Sequence, residues 1–257
     1  MDFERLPEAR ANRRVVFVLS QGVIDAMKTD PSFRDILMRE DAAIIHSAAD
    51  LSNADRITRD LESQGLLVPG LVLVASPYRD GNYAVLDEAV DRFGLEKWSA
   101  VSTLCGYLGA QTLSVKIVED SLSQTRAKLG VGGGKGPVDA KLTGDLSQVD
   151  KFAAQMHWDD AFVGGEMDLA RAEEFLATSG LMADPEVRSL VEGRSHAGNL
   201  LARRTVTIDL SRESQRTIEA ALTISVPAVF KVGATFDHAK ETKAHYKVTL
   251  DVVFATA

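Results

Sequence analysis

Several things are scarce in this chain, and each scarcity excludes something. Among 257 residues there is one cysteine, Cys105, so no disulfide can form within the chain, and a reducing compartment suits it. No stretch approaches the ~18 consecutive apolar residues that a spanning helix requires. The opening MDFERLPEARANRR has no apolar core of the kind that makes a signal peptide. Positive charge is also short: 29 lysines and arginines face 37 aspartates and glutamates, a net charge of −8. Such a chain repels a polyanion on average, and general nucleic-acid binding would need a local basic patch. The nearest thing to one is Lys240, Lys243 and Lys247 with His238 and His245, and Asp237 and Glu241 dilute it.

What is present is ordinary globular material. With 45% apolar and 26% charged residues, the chain can bury one large core or two smaller ones. The expected class is α+β: an antiparallel sheet with a long C-terminal β-hairpin packed against amphipathic helices, preceded by a small α/β segment. That segment spans residues 1–80. Val15 to Leu19 is a wholly apolar run suited to a buried strand, and Ala42 to His46 and Leu71 to Ala75 offer two more. Between them the pattern predicts a helix from Val23, interrupted near Asp30 and Pro31, and a second over Ala54 to Gln64. Ser52 or Asn53 would cap that second helix, and Gly65 would end it. Strands alternating with helices imply a partly parallel sheet.

Within it, IIHSAADLSNADRITRDLESQGLLV (Ile44 to Val68) resembles the opening strand, loop and first helix of TIR domains. The resemblance covers about a tenth of the chain. It implies a loop that handles nucleotides or mediates assembly, and a later glutamate that hydrolyses NAD. Glu88, beside Asp87, is the candidate acid, although it follows the first strand sooner than the family's spacing requires. Any strand, polar loop and amphipathic helix ending in glycine gives the same local pattern.

Residues 81–257 form an α+β region with two hairpins, either separate from the first segment or one continuous domain with it. Leu86, Val90 and Phe93 predict a helix over Tyr83 to Phe93, and Trp98, Val101, Leu104, Cys105 and Leu108 predict another over Glu96 to Leu108. Cys105 lies on the apolar stripe and reads as a buried, inert thiol. Gln111 to Val118 reads as a strand with Leu113, Val115 and Ile117 on one face. Thr125 to Leu146 reads as a glycine-rich hairpin. Its candidate flexible or assembly residues are Gly130, Gly132, Gly133, Gly134, Lys135 and Gly136. These lack the spacer and the following Ser or Thr of a phosphate-binding loop. Further helices are expected over Ser147 to Met156, over Asp168 to Thr178 and after Pro185. His157, Asp159, Asp160 and Glu166 have metal-ligand chemistry without metal-ligand spacing. A strand follows from Arg203, and the polar stretch Ser211 to Arg216 fits either a turn, a helical turn or a bulge. Leu222 to Phe236 and Tyr246 to Phe254, each alternating strictly, form the two arms of the long hairpin.

The function these features imply is that of a non-enzymatic binding or self-assembling protein on a β-sheet scaffold. In its most specific form it acts on membranes by pore formation, with both hairpins extending into lipid. The alternative is an enzyme processing NAD or another nucleotide around Ile44 to Asn53 and Glu88. The expected partners are further copies of the chain or another protein, with a membrane in the pore-forming version and no general nucleic-acid binding. No catalytic residue, metal or cofactor is assigned, and the expected location is cytoplasmic.

Overall fold

The computed structural model describes residues 3, 5–48, 52, 54–120, 125–128, 152, 154, 159–196, 200–222 and 246–254. They form an α+β protein with two separate sheets. Two compact units share them, one drawn from Met1–Arg92 and Glu213–Lys243, the other from Phe93–Arg212 and Ala244–Ala257.

The first unit is built on a mixed sheet in the order β2-β1-β3-β4, comprising β1 (Val15–Leu19), β2 (Ala42–His46), β3 (Val72–Ala75) and β4 (Tyr83–Val85). β1 and β2 run parallel, whereas β1 with β3 and β3 with β4 are antiparallel. Every residue of β1 and β3 is buried, as wholly apolar strands covered on both faces must be. On one face Val16, Val18, Ile45 and Leu73 pack with Leu61 of helix α3 (Arg56–Ser63). The helix expected from Val23 is α1 (Gln21–Met27). After a 3₁₀ turn over Pro31–Phe33 the chain resumes as the short α2 (Arg34–Leu37). The cap of α3 is Asp55 rather than Ser52 or Asn53. Its carboxylate accepts the Thr58 amide at 2.9 Å, the Thr58 hydroxyl at 2.8 Å and the Leu6 amide at 3.1 Å. Burial alone would raise the Asp55 pKa, but these donors together hold it below the usual carboxylate value.

The helix expected over Tyr83 to Phe93 does not start at Tyr83. Tyr83, Ala84 and Val85 pair with β3, and the helix, α4 (Ala89–Tyr107), begins after a turn. Leu86, Val90 and Phe93 have helical spacing, yet Leu86 is buried in that turn, where its amide donates to the Val72 carbonyl at 3.0 Å. Tyr83 belongs to the sheet because its side chain fills the core and its hydroxyl donates to the Arg13 carbonyl at 3.1 Å. The first unit therefore runs past residue 80.

In the second unit, α4 from Phe93 onward accompanies a sheet ordered β6-β5-β9-β8, with β7 also paired to β5. Its strands are β5 (Ala110–Asp120), β6 (Thr125–Lys128), β7 (Asp159–Ala161), β8 (Arg203–Asp209) and β9 (Tyr246–Phe254). Helices α5 (Leu169–Thr178) and α6 (Pro185–Ser195) are capped by Asp168 and Asp184. In β9, the second arm of the expected hairpin, the alternating residues Tyr246, Val248, Leu250, Val252 and Phe254 are all buried. Its ladder partners are β5 on one edge and β8 on the other. The first arm lies outside the described residues, apart from Leu222. That residue is not the start of a strand but the last residue of α7 (Arg212–Leu222), whose helical form resolves the stretch Ser211 to Arg216.

The inward set of β5 is Leu113, Val115 and Val118 rather than Leu113, Val115 and Ile117. A register shift between Val115 and Ile117 inserts Lys116 as an extra residue, and the later side chains change face. Thr125–Lys128, expected to pair forward within its own hairpin, pairs back with residues 117–120 of β5. The glycine-rich stretch itself, with Gly130, Gly132, Gly133, Gly134, Lys135 and Gly136, lies outside the described residues. So does most of the helix expected over Ser147 to Met156, of which Phe152 and Ala154 are described and helical.

Cys105 is fully buried in α4, and burial, with a smaller contribution from the charge of Asp160, pushes its thiol up to about 12. Ellman's reagent at pH 8 should leave it untouched in the folded protein and titrate one thiol in guanidinium. Labelling of the native protein within minutes would contradict this burial.

Candidate functional site

The site begins with the sequence RANRR, which ends where β1 begins. Arg10–Arg13 form a single 3₁₀ turn, a geometry that stacks residues three apart on one side. Arg10 and Arg13 accordingly reach the same carboxylate. Asp80 lies 3.7 Å from Arg10 Nε, and accepts from Arg13 Nη2 at 3.2 and 3.3 Å. Arg13 is buried, and its Nε and Nη1 have no hydrogen-bond partner among the described residues, which makes Asp80 its main compensation.

Arg14 lies outside that pair, and with Arg10 it lines a pocket of about 350 Å³ in the first unit. The loop leaving β3 supplies another wall. There Ser76 Oγ accepts from the amides of Tyr78 and Arg79 at 3.1 and 3.2 Å, and the Ser76 carbonyl accepts from Arg10 Nη2. Helix α7 supplies the third side through Arg216, Thr217 and Ala220. It is tied to the loop by the Tyr78 hydroxyl, which donates to Glu213 Oε2 at 2.8 Å. The other walls are Ala11, Ala75 and Pro77. All the charged side chains lining this pocket among the described residues are thus guanidinium groups, those of Arg10, Arg14 and Arg216. Asp41 acts on Arg14 from outside. Its own carboxyl is held below the ordinary range first by a hydrogen bond from Arg39 and, less strongly, by the charge of Arg14.

A second pocket of about 370 Å³ lies beside Arg13 and Asp80 and differs in charge, since Glu8, Asp55, Asp60 and Asp80 line it with Arg13 and Arg56. Asp55 and Asp80 are committed to the bonds already given, so this pocket offers no surplus of one sign comparable with the first.

The residues singled out from the sequence do not converge. Glu88 and Asp87 are exposed in the turn before α4. Asp159 and Asp160 lie in β7, Glu166 is exposed and His157 lies outside the described residues, among which no group of three His, Cys, Asp or Glu is placed to hold a metal. His196 is exposed, with Nδ1 at 2.6 Å from the Glu192 carbonyl. Lys240 and Lys243 fall outside the described residues, as do His238 and His245, while Lys247 is exposed on β9. Among the described residues no helix is long and apolar enough to cross a membrane. The arginine pocket escaped the sequence reading because Arg216 is remote in the chain from Arg10 and Arg14. The available signal was the density of arginine in RANRR within an acidic chain. Comparison of the chain with known protein families, with curated proteins and with solved structures finds no match.

Proposed function

We propose that this is a binding protein whose first unit receives an anionic ligand in the Arg10, Arg14 and Arg216 pocket. The observation that carries this reading is the contrast of charge: a chain of net charge −8 holds a concave site whose charged lining, among the described residues, consists of three arginines. Guanidinium groups are poorly hydrated, permanently charged and planar, so they suit two-pronged bonds to carboxylate or phosphate oxygens. A pocket of about 350 Å³ has the size of a small-molecule site rather than of a groove for a polymer. Its low-dielectric walls of alanine and proline concentrate the field of the arginines.

Isothermal titration with inorganic pyrophosphate tests the reading. Arg14→Gln and Arg216→Gln should each weaken binding by about tenfold, the loss of one charge-assisted bond of roughly 1.5 kcal/mol. Both side chains are exposed, and glutamine has nearly the helix propensity of arginine, so folding should be unaffected. Arg188→Gln, the same charge change at an exposed position of α6, should leave binding unchanged. Equal losses in all three variants would mean diffuse attraction instead of a site.

A further inference from the structure

We infer that the ligand of this pocket is a small phosphomonoester, bound as the dianion with its phosphoryl group among Arg10, Arg14 and Arg216. The inference rests on the anion-binding reading and narrows it. A carboxylate or sulfate ester brings only one negative charge to a pocket lined by three guanidinium groups. A phosphomonoester carries nearly two above its second ionisation near pH 6, and offers three terminal oxygens to three forked donors. Arg10 is partly engaged already, by the Ser76 carbonyl and by Asp80 at 3.7 Å, so a ligand charge close to two best matches what remains. The space exceeds that of a phosphoryl group, and the rest of the lining among the described residues is short side chains, Ala11, Ala75, Pro77 and Ala220 with Ser76 and Thr217. They leave room for a compact ester group, in keeping with a site at the lower end of the small-molecule range.

The charge of the ligand makes the inference testable by pH. Among the described residues no histidine lines the pocket. The carboxylates acting on its arginines are Asp80 beside Arg10 and Asp41 toward Arg14, and Glu213 of α7 is bonded to Tyr78. Methyl phosphate should bind roughly fivefold tighter at pH 7.5 than at pH 5, because at the lower pH the dianion is about a tenth of the ligand and the monoanion, like methyl sulfate, binds about tenfold more weakly. Methyl sulfate has the same shape and a single charge at both values. It should bind about tenfold more weakly than methyl phosphate at pH 7.5 and show no comparable rise, which separates titration of the ligand from titration of the protein. Equal affinities for the two esters, or parallel pH profiles, would overturn the inference while leaving the anion pocket in place. Binding of pyrophosphate without binding of methyl phosphate would do the same. If pyrophosphate binding is insensitive to Arg216→Gln, the anion-binding reading itself fails.

Discussion

Asp184→Ala should cost the protein about 3–5 kcal/mol of stability, the loss expected when one member of a buried ion pair is removed. Lys97 is completely buried in α4, and its Nζ donates to Asp184 Oδ2 at 2.7 Å and to the Asp209 carbonyl at 2.6 Å. One ammonium group thus holds the start of α6 to the end of β8. Asp184 has a second duty, since Oδ1 accepts from the amides of Glu186 and Val187 at 2.9 and 3.2 Å as the cap of α6. Losing the cap adds about 1 kcal/mol. Chemical denaturation should show the fall as a lower midpoint. In Lys97→Met/Asp184→Ala the buried ammonium is removed together with its carboxylate, so the double variant should be more stable than Asp184→Ala alone. A single variant within 1 kcal/mol of the parent, or a double variant no better than the single, would show that the pair is not desolvated as the geometry implies.

Gly109→Ala should cost about 2–4 kcal/mol for a different reason. Gly109 ends α4 with φ +76°, a left-handed conformation that costs a residue with a Cβ about 1–2 kcal/mol. The new methyl would also stand 3.0 Å from the Gly165 carbonyl oxygen and 3.6 Å from Arg194 Nη2. The first is tighter than ordinary packing, so the backbone at Gly165 must give by a few tenths of an ångström, whereas the second is an ordinary contact. Gly165 is backbone, and buried Arg194 donates to the Leu108 carbonyl at 3.1 Å and the Leu201 carbonyl at 2.8 Å while its guanidinium lies 4.7 Å over the Phe254 ring. Thermal unfolding should register the loss. Gly65→Ala is the control: it has the same backbone strain at φ +70° with nothing within 4 Å of the added carbon, and should cost only the conformational part. Equal losses at the two sites would remove the steric argument.

The local code of this chain was readable wherever one residue type decides the outcome. Val15–Leu19 and Ala42–His46 could be delimited to the residue because apolar runs end sharply at polar neighbours. Gly65 marked the end of α3 because it occupies a left-handed conformation, as do Gly109 and Gly180 just beyond α4 and α5. Periodicity misled where a short window satisfies two periods, as with Leu86, Val90 and Phe93, and where a single extra residue, Lys116, reverses the faces of a strand. A partly parallel first sheet could be expected from alternating strands and helices, but the pairing in the second sheet could not be read. The alternation in Tyr246–Phe254 defines a buried face and says nothing about which strands flank it; the partners found, β5 and β8, were selected by the packing of the unit. The arginine pocket was hidden for the same reason, since its members meet only after β1, the loop beyond β3 and α7 have folded together.

The position of β9 also bears on how the chain can be divided. Val115 pairs with Leu250 and Ile208 with Val248, so the second sheet lacks its middle until the chain has supplied Glu213–Lys243 to the first unit and returned. Pairings so distant in sequence form slowly, because a large loop must close before any ladder bond is gained. Neither unit is a continuous stretch, and no single cut separates them. A fragment stopping at Arg92 would lack the wall of the arginine pocket that carries Arg216, and one beginning at Phe93 would carry α7 without its own sheet.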